Sequence, residues 1–115
     1  MRTLISVFAL LLVGIGNADA HALLDHASPR VGATMSTAPR EVTVWFTQKL
    51  EAAFSGLKVT NPAGQRIDTG STRVNGNVIS VTLRPGGTGT YRVDWKVLSV
   101  DAHTTEGSFT FRVGQ

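Results

Sequence analysis

The stretch Glu41-Val42-Thr43-Val44-Trp45-Phe46 decides the fold class, and Tyr91-Arg92-Val93-Asp94-Trp95-Lys96-Val97 repeats its message later in the chain. In the first, Val42, Val44 and Phe46 alternate with Glu41, Thr43 and Trp45; in the second, Tyr91, Val93, Trp95 and Val97 alternate with charged residues. A period of two is that of a strand with one buried face, because successive side chains point to opposite sides of a sheet. Phe109, Phe111 and Val113 alternate with Ser108, Thr110 and Arg112 and predict a closing strand. The same alternation makes Phe46, Trp95, Phe109 and Phe111 core residues and turns Trp45 outward, toward a contact surface.

Working outward, Leu57 to Thr60 and Val78 to Leu83 are shorter strand candidates. Asn75-Gly76, between Thr72-Arg73-Val74 and Val78-Ile79-Ser80, predicts a hairpin. Ser28-Pro29, Asn61-Pro62-Ala63-Gly64 and Pro85-Gly86-Gly87-Thr88-Gly89 are turn chemistry. Gln48 to Phe54 tolerates a helix, but for a turn or two only. About seven short strands separated by regular turns predict an all-β, immunoglobulin-like β-sandwich in a single domain.

Composition agrees and narrows the function. The 115 residues hold 42% hydrophobic and 17% charged side chains, which argues against a disordered chain. The absence of cysteine excludes a disulfide scaffold, an iron–sulfur site, a zinc ribbon and a cysteine nucleophile. The formal net charge of +3 is carried by basic residues spread singly along the sequence. Without a Lys/Arg cluster there is no nucleic-acid footprint. No Gly-rich phosphate loop opens a helix, and no nucleophile-elbow pattern is present.

The first twenty residues are a separate matter. Met1-Arg2 gives a positive start, Leu4 to Ile15 is an apolar run, and Ala18-Asp19-Ala20 is a small-x-small ending. That layout predicts a secretory signal peptide over 1–20, since a membrane span needs about 20 apolar residues. Cleavage after Ala20 leaves a domain over 21–115, exported from the cytoplasm, with no membrane association expected afterwards.

Cleavage also creates chemistry. As the first residue, His21 offers its α-amine and ring Nδ1 on one residue, which together close a six-membered chelate. The amine, with an ordinary pKa of about 7.7–8.0, and imidazole, near 6.5, are both displaceable by a divalent ion close to neutrality. Asp101-Ala102-His103 follows the strand at 91–97. If the backbone stays extended there, Asp101 and His103 share a face. One amine, two imidazoles and a carboxylate make a tetragonal nitrogen-rich set, which suits Cu(II).

The same residues resemble a known family. The mature start His21-Ala22, Ser28-Pro29, Gly32, Pro39, Phe46-Thr47, Leu50-Glu51 and Phe54-Ser55-Gly56 belong to the pattern. So do Gly89-Thr90-Tyr91-Arg92-Val93-Asp94-Trp95, Ser99-Val100-Asp101-Ala102-His103 and Gly107-Ser108-Phe109-Thr110-Phe111. In that order and over essentially the whole mature chain, they resemble the CopC copper-resistance family of periplasmic copper-binding proteins. The resemblance implies a Greek-key β-sandwich and a mononuclear Cu(II) site whose ligands fall on His21, Asp101 and His103. It also implies a periplasmic location and a membrane copper transporter as partner, in a carrier or buffer of copper homeostasis that is not an enzyme. Where some members carry a glutamate near the copper, this chain has Gln48, a neutral and weaker donor that fits a supporting hydrogen bond. His26 has no family role and is assigned a place near the site or on the surface. With Met35 the sole methionine of the mature chain, a soft Cu(I) site is not expected.

Two other functions compete. A copper monooxygenase with a histidine-brace site also uses an N-terminal histidine, but a coordinating carboxylate opposes reduction and exposed aromatics are few. A metal-free immunoglobulin-like interaction module would make all three histidines incidental.

Overall fold

The computed structural model describes residues 22–114. The expected signal peptide and His21 lie outside the described residues. From Ala22 on, the elements are β1 (Leu24–Ser28), β2 (Thr34–Met35), β3 (Glu41–Phe46), a 3₁₀ turn (Ala52–Phe54) and β4 (Gly56–Thr60). They continue through β5 (Asp68–Asn75), β6 (Val78–Leu83), β7 (Gly89–Leu98) and β8 (Thr104–Val113).

The strands form two four-stranded sheets, one in the order β1-β3-β6-β5 and the other β2-β8-β7-β4. Pairing is antiparallel except for the short β2, which runs parallel to β8. The connections β3 to β4, β4 to β5 and β6 to β7 each cross from one sheet to the other, giving the Greek-key sandwich that the alternation and the family resemblance together predict. There are eight strands where about seven are expected. The extra count comes from β1 and β2, whose residues lack alternation and owe their conformation to pairing with β3 and β8.

The core lies between the sheets. Val42, Val44 and Phe46 of β3 face Tyr91, Val93 and Val97 of β7 and Phe109, Phe111 and Val113 of β8, all buried. Tyr91 stacks on Phe111 with centroids 5.1 Å apart, and Trp95 meets Phe46 edge-on at the same distance. Such aromatic pairs add about 0.5–1.5 kcal/mol beyond the area they bury. Trp95 is only half-buried, since β8 presents Gly107 opposite it. A Cβ at Gly107 would lie 2.6 Å from the indole Cζ2, so only glycine admits the ring there. Trp45 does turn outward, but the His26 ring covers it, stacked at 4.3 Å and 11°.

Two local expectations shift. The β5–β6 hairpin turns on Gly76-Asn77, one residue later than Asn75-Gly76, because Asn75 pairs with Val78. Gly76, with φ of 65°, occupies the first central position, where a two-residue hairpin loop demands a positive φ. Asp68, read from the sequence only as one charge among several, has a fully buried carboxylate bonded to Arg66 Nε, the Val59 N–H and the Gly70 N–H. That cluster fastens the crossing from β4 to β5.

Candidate metal centre

One end of the sandwich gathers the start of the described chain, the segment after β3 and the turn joining β7 to β8. The turn is built from Ser99 to His103. The ladder closes at Leu98 and Thr104, Ser99 N–H donates to the His103 carbonyl at 3.0 Å, and Ala102 N–H donates to the Ser99 carbonyl at 2.9 Å. Ala102 has φ of 72°, so the loop is a three-residue hairpin connection ending in a left-handed residue. Alanine at that position costs about 1–2 kcal/mol, which other contacts of the turn must offset.

Asp101 and His103 do converge, with Nδ1 of His103 lying 3.3 Å from Oδ1 of Asp101. The route differs from the expected one. An extended backbone is not what aligns them; the chain reverses between Val100 and Ala102, and the turn brings the two side chains to one side. Both remain accessible, with 41% of the Asp101 side chain and 46% of the His103 side chain exposed.

Ser99, fully buried, is the hub of the turn. Its hydroxyl donates to Oδ1 of Asp101, and the same Oγ lies 3.2 Å from the His103 carbonyl and 3.4 Å from the His103 amide nitrogen. The Ser99 hydrogen bond is the main cause that holds the Asp101 carboxyl below the ordinary carboxylate range; desolvation opposes it, and the bond and charge of His103 act with Ser99. Asp101 is therefore an anion at neutral pH, ready to attract a cation. Sequence reading passed over Ser99 as a contributor; its spacing two residues before Asp101 was the available signal.

The start of the described chain is fastened by β8 and by the segment just after β3. The Ala22 carbonyl accepts a 2.8 Å hydrogen bond from the Thr105 hydroxyl on β8, two residues beyond His103. Leu23 exchanges two bonds with Thr47, its N–H donating to Oγ1 and its carbonyl accepting from the Thr47 N–H, each at 2.9 Å. Ala22 is fully buried. The first described residue is thereby tied to β8 just beyond the turn that holds His103.

Gln48 lies in the same segment and is half-buried. It stands between Thr47, bonded to Leu23, and Lys49, whose carbonyl accepts from the Val100 N–H at 3.0 Å. Gln48 thus sits on a stretch that touches both the start of the described chain and the β7–β8 turn. His26 is occupied differently: its Nδ1 contacts Oδ2 of Asp25 at 2.8 Å while its ring covers Trp45. Among the described residues, no three His, Cys, Asp or Glu side chains form a metal-holding group. Asp101 and His103 supply two donors, and the third predicted ligand, His21, lies outside the described residues.

Comparison with known proteins puts this arrangement in context. Residues 24–114 match the CopC domain family. The chain is 39% identical to Protein YobA of Escherichia coli K12 over 101 residues, covering 82% of this chain and 79% of the relative. It is 35% identical to Copper resistance protein C of Xanthomonas campestris pv. juglandis over 106 residues, covering 84% and 83%. The crystal structure of CopC from Methylosinus trichosporium OB3b superposes with a TM-score of 0.75 at 25% identity, over 81% of this chain and 93% of that one. With the family matched across nearly every described residue, and the sandwich shared with a solved member, the chain belongs to the CopC family.

Proposed function

We propose that the protein is a periplasmic carrier or buffer that holds one Cu(II) ion as cargo, through the amine and ring of His21, the carboxylate of Asp101 and the imidazole of His103. The observation that carries this reading is the convergence of Asp101 and His103 on a turn adjoining the fastened start of the chain. Three nitrogens and a carboxylate favour the dication, because imidazole and amine suit Cu(II) while Cu(I) prefers soft sulfur ligands. Such a set holds copper without cycling it, in keeping with a role that is not catalytic. Gln48 supports the site by hydrogen bonding from the segment between Thr47 and Lys49, and His26 lies beyond the ligands. The family resemblance adds a periplasmic address reached through the signal peptide over 1–20, and a membrane copper transporter as the partner that exchanges the ion.

Processing is the switch in this reading, since an amide nitrogen does not replace a free amine as a ligand. The test is a Cu(II) titration followed by electron paramagnetic resonance on the chain beginning at His21, beside a version with one extra residue before it. Every described strand lies within 24–113, so both forms carry the whole sandwich. One equivalent bound in an axial, nitrogen-rich site by the processed form, and much weaker binding by the extended form, is expected. Equal affinity in the two forms would sink the reading. Affinity should also fall in acid, because protons compete with the ion for the nitrogen ligands.

A further inference from the structure

We infer that Thr105 is a positioning residue for the cargo site: its hydroxyl latches Ala22 to the strand that follows the His103 turn, restraining the residue to which a processed N-terminal histidine is joined. The inference rests on the proposed Cu(II) reading and deepens it.

The observation is a single hydrogen bond spanning most of the sequence. Thr105 Oγ1 donates to the Ala22 carbonyl at 2.8 Å, and without it that buried carbonyl loses the partner the fold provides. Thr105 follows His103 by two residues and pairs with Val97 across the β7–β8 ladder, so its position is fixed by the strand that begins just after the turn. Thr47 holds the next residue, Leu23, by two further bonds. The two threonines thus grip consecutive residues, one from β8 and the other from the position just after β3. Thr47 also bonds through its own backbone as part of the β1–β3 region, whereas the Thr105 contact is made by a side chain alone and can be removed without breaking a strand.

A chain terminus left to itself is among the least ordered parts of a domain, and ordering it on binding reduces affinity by the fraction of time it is out of place. The latch removes that cost. Its effect should therefore appear only when the amine of residue 21 is a ligand, which separates a positioning role from a general structural one. Thr105 is half-buried, and valine matches its shape while deleting the hydroxyl.

The experiment is a four-way comparison of Cu(II) affinity by competition titration: wild type and Thr105→Val, each as the chain beginning at His21 and with one extra residue before it. Thermal unfolding of the apo forms and the electron paramagnetic resonance spectrum accompany each. Thr105→Val should weaken binding about fivefold in the processed chain, the scale of one net hydrogen bond. It should leave the copper spectrum unchanged and have no effect on the extended chain. Thr105→Ser, which keeps the hydroxyl, should restore affinity and guards against a folding defect in the valine variant. If Thr105→Val binds like wild type while the extra residue still weakens binding, the latch is wrong and the Cu(II) site stands. If Thr105→Val weakens both forms equally, the role is structural and the latch is overturned. If processed and extended wild type bind alike, the amine is not a ligand and both readings fall.

Discussion

Asp68 and Asp101 are two aspartates whose carboxyls are both held below their ordinary range, and they differ in everything that matters for function. At Asp68, burial pushes the carboxyl up, and the Arg66 guanidinium with the Val59 and Gly70 N–H groups overcomes it. At Asp101, the Ser99 hydroxyl is the main cause, with little burial to oppose it. Asp68 has no exposed side-chain surface and its oxygens are spent on neighbours. Asp101 keeps much of its surface open beside an imidazole. A lowered pKa alone therefore does not mark a site; a lowered pKa with unspent coordination does.

The contrast breaks most visibly through the proposed ligands. His103→Ala should cost Cu(II) affinity about a hundredfold to a thousandfold, since each donor carries a few kcal/mol of a tight metal site. The urea midpoint of the apo protein should barely move, because the side chain is exposed. A variant that keeps its affinity would place the ion elsewhere.

Asp68→Asn should do the reverse. An amide there points N–H groups at the donors of Arg66, Val59 or Gly70, costing about 2–3 kcal/mol of stability in urea unfolding, with Cu(II) affinity within about twofold of wild type. Acid sharpens this arm. Because the folded carboxyl of Asp68 titrates below its ordinary value of 3.8, its contribution is present above that value. As pH falls below 3.8 and through the lowered folded pKa, the contribution is lost. The slope of stability against pH in that range should be shallower in Asp68→Asn; an unchanged slope would move the acid sensitivity to another carboxylate.

The smallest effect belongs to the turn itself. Ala102→Gly relieves a left-handed alanine but frees the unfolded chain, so a net gain of at most about 1 kcal/mol is expected in thermal unfolding. A loss would mean that the alanine methyl makes contacts outweighing its backbone strain.

What the sequence made legible follows the same division between pattern and contact. β3, β7 and β8 announced themselves because one face of each is buried, and burial writes a period of two into the residues. β1 reads Leu-Asp-His-Ala-Ser and is a strand only because β3 lies beside it, with an irregular register between Leu24 and His26. At the site, Asp101 and His103 were legible as donors, but the turn that joins them was not, because alanine gives no sign of a positive φ. Thr47 and Thr105 gave no sign of their roles for a different reason: a hydroxyl in a strand-rich sequence looks like any other polar residue until its partner is known. Asp68 is one acidic residue among several in the sequence, and nothing there told that its carboxylate would be enclosed.

The two tryptophans have a consequence of an optical kind. Trp45 lies flat under the His26 ring on the outer side of β3, while Trp95 sits edge-on to Phe46 between the sheets. One indole therefore senses whether the first strand is docked, and the other senses the interior. With Trp45→Phe and Trp95→Phe each leaving a single emitter, the peeling away of β1 can be timed against the collapse of the interior without attaching a dye, and the molecule carries its own two-channel clock of disassembly.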